Sequence, residues 1–262
     1  MDRKQYWNEE YTKYWKAATK EADELDNIKS NIKKEQMGDF KTPGEKNIEE
    51  LFSLLDYDKE DKLLDYGCGF GRFFPYFQNI VNYTGIDISE SMISECKRKW
   101  IKEKERFIIA EGENLPFADG YFDKIICYGV FDACYQEQAL SEMLRVLKTN
   151  GQLLITGKNI LYFDDDEQAY IAEKAARKKN HPNFFTDVIK LKSQLTNSDI
   201  LVERYYLYRG DFAKGNFTNI MPEKFYEWCL IIKVGERNTK PFESFSDMFS
   251  ETYKRIQETR GK

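Results

Sequence analysis

The sequence contains few of the residues that build metal and disulfide sites. Its 262 residues include one histidine, His181, and five cysteines that form no Cys-x-x-Cys pair. An odd number of widely separated cysteines disfavours a disulfide framework, and the ligands of a structural zinc are missing. The aspartate run 164–166 could bind a divalent cation, but a solvated loop is the commoner role of such a run. We therefore expect no metal site.

Long apolar runs and an excess of positive charge are also missing. No stretch approaches the roughly 18 to 20 consecutive apolar residues of a membrane-spanning helix. The N-terminus is charged and aromatic and lacks the apolar centre of a signal peptide, which predicts a cytoplasmic protein. The 40 Lys and Arg residues against 45 Asp and Glu residues leave a net charge of −5. This balance argues against DNA as a partner and disfavours RNA.

Short β-rich runs alternate with helical stretches between residues 62 and 158. This alternation predicts right-handed crossovers and a doubly wound α/β fold with a mostly parallel sheet. One helix is predicted over 136–148, before the Asn150-Gly151 stop. The predicted segments are an N-terminal helical cap (1–45), a main domain (46–235) with an insertion (159–183), and a C-terminal tail (236–262).

The most informative segment is a glycine-rich loop after an apolar strand, Leu63-Leu64-Asp65-Tyr66-Gly67-Cys68-Gly69-Phe70-Gly71-Arg72. Its G-x-G-x-G spacing at the mouth of a helix lets the backbone approach a ligand where side chains would collide. The dinucleotide fingerprint is not met, because its third glycine would fall at Arg72. The preceding carboxylate of Asp65 suits a ligand that carries an ammonium group. A purely structural turn is the alternative.

Two further acids follow strands. Asp87 ends the next predicted strand, where an acid can accept hydrogen bonds from both hydroxyls of a ribose. A helix N-cap or a surface acid is the alternative for this residue. Glu111 follows the third strand, where its carboxylate could accept from an adenine amino group beside the backbone N–H of Gly112.

In this order and spacing, the motifs resemble those of the class I S-adenosylmethionine (SAM)-dependent methyltransferases, in particular type-11-like enzymes that act on small molecules. The family pattern is a strand with D-x-G-x-G-x-G, an acid after strand two, and a D-A-x-x-L-P-F-like turn, here 110–117. The resemblance continues through 122–126 and 144–151, and it covers roughly residues 50–158. Thr149-Asn150 stands where the family usually has Pro-Gly.

The resemblance implies a seven-stranded sheet, with six parallel strands and the last hairpinned in, and SAM as the cofactor with S-adenosylhomocysteine as its product. The implied cofactor contacts are Asp65, Gly67, Gly69 and Gly71 around the methionine moiety, Asp87 at the ribose, Ile88, Met92, Glu111 and Gly112 at the adenine, and, in the same turns, Arg72 and Glu113. Glu111 replaces the family's usual shorter Asp.

Aromatic residues cluster near the N-terminus. In related enzymes such segments close over the cofactor, so the resemblance implies that Tyr11 and Tyr14 hydrogen-bond the cofactor carboxylate. Core packing of an amphipathic helix and an interface in a homodimer are the alternatives.

Three residues are candidates for catalysis. An acceptor hydroxyl must lose a proton, and an acceptor amine must arrive unprotonated. His181 has an ordinary pKa near neutrality and follows the fifth strand, where the family often builds its acceptor pocket; a surface role is the alternative. Tyr128 and Asp132 follow the fourth strand, at the rim where the family commonly faces the methyl group.

We predict methyl transfer to a small polar acceptor, with O-methylation of a sugar, nucleotide-sugar or phosphorylated surface-glycan precursor preferred. The basic run Arg177-Lys178-Lys179 could attract a phosphate-bearing acceptor, as could Arg209 and Lys214, and a solvated helix end or loop is the alternative. The alternatives are an N-methyltransferase for a small amine and a methyltransferase-like binding protein without turnover. The asparagine-proline motif of amino-group methyltransferases is missing after strand four, which counts against nucleobase amino groups.

Overall fold

A central sheet of seven strands organises the chain in the computed structural model, which describes residues 3–11, 43–79, 81–235 and 240–260. The strands of the described ranges are β1 (Lys62–Tyr66), β2 (Asn82–Asp87), β3 (Phe107–Ile109), β4 (Phe122–Cys127), β5 (Leu147–Lys158), β6 (Phe185–Thr186), β7 (Ser198–Tyr206), β8 (Glu227–Val234) and β9 (Ser246–Asp247).

The strand order is β3-β2-β1-β4-β5-β8-β7. The first five strands pair in parallel, whereas β8 is antiparallel to both of its neighbours, β5 and β7. Because β7 is antiparallel to β8, it runs in the same direction as the first five. The prediction of six parallel strands and one antiparallel strand in a doubly wound α/β sheet is therefore confirmed. The short strands β6 and β9 form a separate antiparallel pair.

Helices cover the sheet and follow its strands. The α-helices of four or more residues in the described ranges are α1 (Pro43–Ser53), α2 (Phe74–Phe77), α3 (Glu90–Lys99), α4 (Gln136–Val146), α5 (Glu167–Lys178), α6 (Val188–Gln194), α7 (Asp211–Lys214) and α8 (Glu251–Arg260). The hydroxyl of Ser89 caps α3 by accepting from the backbone N of Met92 at 3.4 Å. Such caps satisfy N–H groups that have no partner inside the helix.

The aspartate run 164–166 has structural contacts. Asp166 caps α5 by accepting from the backbone N of Ala169 at 3.0 Å. Asp164 forms ion pairs with Lys224, at 3.1 Å, and with Arg255. Within the described ranges, no group of three or more His, Cys, Asp or Glu side chains is arranged to hold a metal ion.

One helix is shorter than the sequence predicts. The helix predicted over 136–148 ends at Val146, and β5 begins at Leu147. Leu147 pairs in parallel with Phe122 of β4, and both side chains are fully buried. Burial of an apolar pair across the sheet therefore takes Leu147 out of the helix.

The central strands are buried on both faces. Neighbouring residues point to opposite faces of a strand, so a strand covered on both sides reads as a continuous apolar run. Leu64, Ile125 and Leu153 belong to the core on one face of the sheet, and their sequence neighbours Leu63, Ile126 and Leu154 belong to the core on the other. This covering leaves the carboxyl ends of the strands as the accessible edge.

The described part of the predicted C-terminal tail, residues 240–260, packs on the main domain. It contains β9, which pairs with β6, and α8. The carboxylate of Glu137 in α4 accepts from the backbone N of Phe245 at 2.8 Å, and from the backbone N and hydroxyl of Ser246 at 3.0 Å each. Phe245 itself is buried. One side chain of α4 therefore fixes the segment that enters β9.

We expect Glu137→Ala to loosen this segment. Removing a charged acceptor from several donors costs about 2 kcal/mol of unfolding free energy, because water replaces part of the lost bonding at a half-buried site. Urea denaturation measures the loss, and hydrogen exchange should accelerate at the amides of Phe245 and Ser246. Glu137→Gln keeps an acceptor oxygen and should lose less. Unchanged exchange in Glu137→Ala would show that this contact does not hold the segment.

Candidate cofactor and acceptor site

The glycine loop after β1 has the backbone conformation that its sequence demands. Gly67 has a φ of +76° and Gly69 a φ of +53°, in the left-handed region that favours glycine. A Cβ on Gly67 would lie 2.5 Å from Cγ1 of Val130, whereas a Cβ on Gly69 would meet nothing closer than Sδ of Met92 at 3.8 Å. Gly67 therefore permits close packing of two loops, and Gly69 leaves open backbone that a ligand can approach.

The first predicted acid, Asp65, is buried at the end of β1. The hydroxyl of Tyr83 donates a hydrogen bond to its Oδ2 at 2.6 Å. Burial raises the pKa of Asp65 to about 7, although the bond from Tyr83 acts in the opposite direction. A positively charged group next to this carboxyl would favour its ionised form.

The second acid, Asp87, lies beside the glycine loop. Its Oδ2 accepts from the backbone N of Gly69 at 3.0 Å, and its Oδ1 accepts from the backbone N of Ser89 at 2.8 Å. Burial raises the pKa of Asp87, and these two bonds oppose the rise. Each carboxylate oxygen keeps a further lone pair, so both can still accept from hydroxyl groups of a ligand. Met92 is buried in the first turns of the following helix.

The turn after β3 brings Glu111 and Gly112 to the same edge. The Glu111 side chain is exposed and lies 3.7 Å from Nζ of Lys4. The ring of Tyr66 packs so closely on Gly112 that an added Cβ would lie 1.7 Å from the Tyr66 hydroxyl oxygen. Glu113 accepts from the backbone N of Tyr135 at 2.9 Å, so its side chain contacts the protein.

The N-terminal segment, Arg3–Gln5 followed by a π-helical turn at Tyr6–Tyr11, lies across this edge. The hydroxyl of Ser91 is 3.4 Å from the backbone oxygen of Asn8, and Lys4 pairs with Glu111. The side chain of Tyr11 and all of Tyr14 lie outside the described residues. The hydroxyl that reaches the site belongs to Tyr6, which is 2.6 Å from Nδ1 of His181.

A cavity of about 430 Å³ opens beside the glycine loop, between the ends of β4, β5 and β8 and helix α5. The three predicted catalytic residues, His181, Tyr128 and Asp132, all line this cavity. Tyr128 and Gly129 lie on its wall, and the next residue, Val130, packs on Gly67. The same short loop therefore borders the cavity and the glycine loop. Arg72 is exposed, with its guanidinium 5.4 Å from the ring centroid of Phe73.

Sequence comparison identifies the central part of the chain. Residues 64–155 match the model of the methyltransferase-domain family. An uncharacterized protein of Methanocaldococcus jannaschii is 35% identical over 109 residues, which are 42% of this chain and 46% of that protein. The ubiquinone/menaquinone biosynthesis C-methyltransferase UbiE of Stutzerimonas stutzeri is 36% identical over 104 residues, which are 36% of this chain and 41% of UbiE. The chain spans less than half the length of these curated relatives.

Solved structures share the fold over more of the chain. The geranyl diphosphate C-methyltransferase of Streptomyces coelicolor has a TM-score of 0.56 at 13% identity, over 72% of this chain and 77% of that one. A SAM-dependent methyltransferase of Thermotoga maritima has a TM-score of 0.53 at 19% identity, over 74% and 89%. Residues 64–155 are a class I SAM-dependent methyltransferase domain. The family resemblance, and with it SAM as the cofactor of this class, is confirmed.

Two cavity residues were not singled out by the sequence. Nζ of Lys158, at the end of β5, lies 2.5 Å from Oδ2 of Asp132 and 2.9 Å from Oδ1 of Asn183. Burial opposes the charge of Lys158, but Asp132, Tyr226 and Glu227 together outweigh burial, and the pKa of Lys158 is raised. The second missed residue is Glu227, across the strand pair from Lys158. An acid at the start of the mostly apolar β8 was the available signal.

His181 has a neutral imidazole at physiological pH. Its ring contacts the rings of Tyr6 and Trp7 at centroid distances of 5.1 and 5.3 Å, both edge-on. Burial and nearby positive charges lower the pKa of His181 to about 4, against an opposing contribution from Asp132. Such an imidazole is unprotonated but is a weak base. Its catalytic role stays a prediction.

No helix in the described part of the chain has the length and apolar character required to cross a bilayer.

Proton NMR of the untagged protein tests the environment of His181 directly, because the chain has a single histidine. We expect no imidazole titration between pH 5.5 and 8 and a midpoint near 4. In the unfolded chain the imidazole of His181 has a pKa of about 6.5. The contribution of the neutral imidazole to the free energy of unfolding is therefore complete above that pH and is lost as the pH falls toward 4. A midpoint between 6 and 7 would contradict the buried placement.

Proposed function

We propose that this protein transfers a methyl group from SAM to a small polar acceptor held in the 430 Å³ cavity. The observation that supports this most is the shared loop 128–130, which joins the glycine loop to the cavity. When bound, SAM supplies a methyl group already activated by its sulfonium sulfur, and S-adenosylhomocysteine is left after transfer. The protein's task is therefore to hold the two reactants in line and to manage the acceptor's proton.

The residues at the ends of the first three strands fit SAM. The buried carboxyl of Asp65 suits the ammonium of its methionine part, and Gly69 leaves open backbone next to it. Asp87 retains lone pairs for the ribose hydroxyls, and Glu111 is exposed where an adenine amino group would donate. Ile88 and Met92 would pack on the adenine ring. In this assignment Arg72 and Glu113, whose contacts are within the protein, contribute little to SAM binding.

The N-terminal segment is proposed to act as a lid. Its contacts span the adenine side, through Lys4 and Glu111, and the cavity side, through Tyr6 and His181. Closure over both sites would exclude water from the reacting groups.

The charged residues that line the cavity indicate the polarity and charge of the acceptor. Three acids line it, Asp132, Glu173 and Glu227, against two strong bases, Lys158 and Arg209. This balance supports a polar acceptor without excess negative charge better than a phosphorylated one. O-methylation of an unphosphorylated sugar and N-methylation of a small amine both agree with it. UbiE matches only 36% of this chain, so the acceptor of that enzyme carries no weight here.

Calorimetric titration of SAM tests the cofactor site. We expect wild-type protein to bind SAM and Asp87→Asn to bind it at least tenfold more weakly, because hydrogen bonds to a charged acceptor contribute about 1.5–3 kcal/mol. Asp56→Ala, at an exposed position away from the site, is the matched control and should bind like wild type. Absence of SAM binding to folded wild-type protein at millimolar concentrations would refute the proposed function.

We expect Asp65→Asn to bind SAM more weakly than wild type and to lose less stability as the pH rises above 4. The wild-type carboxyl has a folded pKa of about 7, raised by burial, against about 3.9 in the unfolded chain. The folded state therefore keeps a proton that the unfolded state loses, and stability falls as the pH rises from 4 to 7. Asparagine has no carboxyl group to titrate, so the variant should lack this pH-dependent loss of stability. Its side-chain oxygen can still accept the hydrogen bond from the Tyr83 hydroxyl.

Thermal unfolding of Asp65→Asn and wild type from pH 4 to 8 measures the pH dependence of stability, and SAM titration at pH 8 measures cofactor affinity. We expect a flatter stability profile together with SAM binding at least tenfold weaker, since a charged hydrogen bond is lost. An unchanged profile would show that Asp65 is not held protonated by burial.

A further inference from the structure

Glu227 is an acid without a partner on the wall of the cavity. It is the first residue of β8 and lies across from Lys158 in the antiparallel pairing with β5. Among the described residues, none donates a hydrogen bond to its carboxylate and no cation lies within the 4.0 Å of an ion pair. A carboxylate placed in this way is available to a ligand.

The two cations that face Glu227 compensate its charge only in part. Lys158 is already bonded to Asp132 and Asn183. Arg209, in the loop after β7, lies beyond ion-pair distance and is exposed to water. The titratable and charged groups that face Glu227 from the surrounding elements are Lys158 on β5, Asp132 after β4, Arg209 after β7 and Asp166 before α5, with Tyr128, Glu173, His181 and Tyr226 lining the same cavity.

Burial strengthens the basicity of this carboxylate. It raises the pKa of Glu227 to about 7, where Asp132 adds to the rise and Lys158 opposes it. A general base works best when its pKa is close to the working pH. Glu227 is in this respect better suited than His181, whose pKa is lowered to about 4.

Aromatic rings complete the cavity wall around Glu227. Tyr128 and Phe212 line the space, and their rings are 5.6 Å apart. Aromatic faces attract organic cations, and the attraction grows when water is excluded. A carboxylate that has no hydrogen-bond or ion-pair partner and lies beside aromatic rings is a chemical match for an ammonium group.

We propose that the acceptor is a small amine, and that Glu227 binds its ammonium group and then takes its proton. This assignment rests on the methyl-transfer function proposed above. In the proton step, an N–H bond of the ammonium breaks, its electron pair stays on nitrogen, and an O–H bond forms on a carboxylate oxygen of Glu227. The nitrogen then has the lone pair that attack on a methyl group requires. Burial lowers the pKa of an ammonium while it raises that of a carboxyl, so it brings the two closer together.

Calorimetry on protein saturated with S-adenosylhomocysteine tests the proposal without turnover. The probes are two amines, ethanolamine and 1,4-diaminobutane, a neutral polyol, glycerol, and an anion, glucose 1-phosphate. We expect at least one amine to bind more tightly than the polyol and the anion. Its affinity should rise about tenfold from pH 6 to pH 8, as the ionised fraction of a carboxyl with a pKa near 7 rises from about one tenth to nine tenths.

Two variants separate Glu227 from general charge effects. Glu227→Gln should bind the amine at least tenfold more weakly and lose the pH dependence, while its affinity for S-adenosylhomocysteine stays unchanged. Glu223→Gln removes an exposed acid just before the same strand and should behave like wild type. In protein labelled with ¹³C at the glutamate carboxyls, the signal missing from Glu227→Gln should titrate with a midpoint near 7.

The results that would contradict the amine assignment differ from those that would contradict the methyltransferase function. Tighter binding of glucose 1-phosphate than of both amines, no amine binding at millimolar concentrations, or unchanged amine binding in Glu227→Gln would overturn the assignment of the acceptor. A carboxyl midpoint near 4 would overturn the proton step. Lack of binding of S-adenosylhomocysteine would instead refute the proposed function, and amine titration of the free protein would still test Glu227.

Discussion

The contact between Gly67 and Val130 joins the two halves of the site. The positive φ and missing side chain of Gly67 let the loop after β4 lie directly on the glycine loop after β1, where a Cβ would approach Val130 to 2.5 Å. Tyr128 and Gly129 thereby line the cavity, while Val130 packs on the glycine loop. If this approach were wider, the glycine loop and the acceptor cavity would no longer be adjacent, and in-line transfer depends on that adjacency.

Burial of charged groups at the carboxyl edge of the sheet accounts for the chemistry of both halves. It raises the pKa of Asp65 and of Glu227 to about 7 and lowers the pKa of His181 to about 4. The ionised form of each carboxyl would be stabilised by a neighbouring ammonium group, at the proposed cofactor site for Asp65 and at the proposed acceptor site for Glu227. The imidazole instead becomes a neutral neighbour of Tyr6. Perturbed pKa values of this kind are typical of functional sites.

The sheet could be predicted from the sequence, and its proposed cofactor edge could be located, because their signals are local. A glycine loop after one strand, and an acid after each of the next two, can each be recognised at the end of its own strand. The cavity proposed for the acceptor was predicted only in part. His181, Tyr128 and Asp132 were placed on it, but Glu227 and Lys158 become neighbours only through the pairing of β5 with β8, whose partners are far apart in the chain. The same applies to Tyr6, which contacts His181 although the two are 175 positions apart in the chain.

A crystal structure with S-adenosylhomocysteine would show whether loop 128–130 joins a SAM site to an acceptor cavity. We expect the ribose hydroxyls to contact Asp87, the adenine to lie near Glu111, and the sulfur to face the cavity wall formed by Tyr128 and Gly129. A nucleoside bound elsewhere, or a sulfur turned away from that cavity, would show that the two sites are not joined in this way.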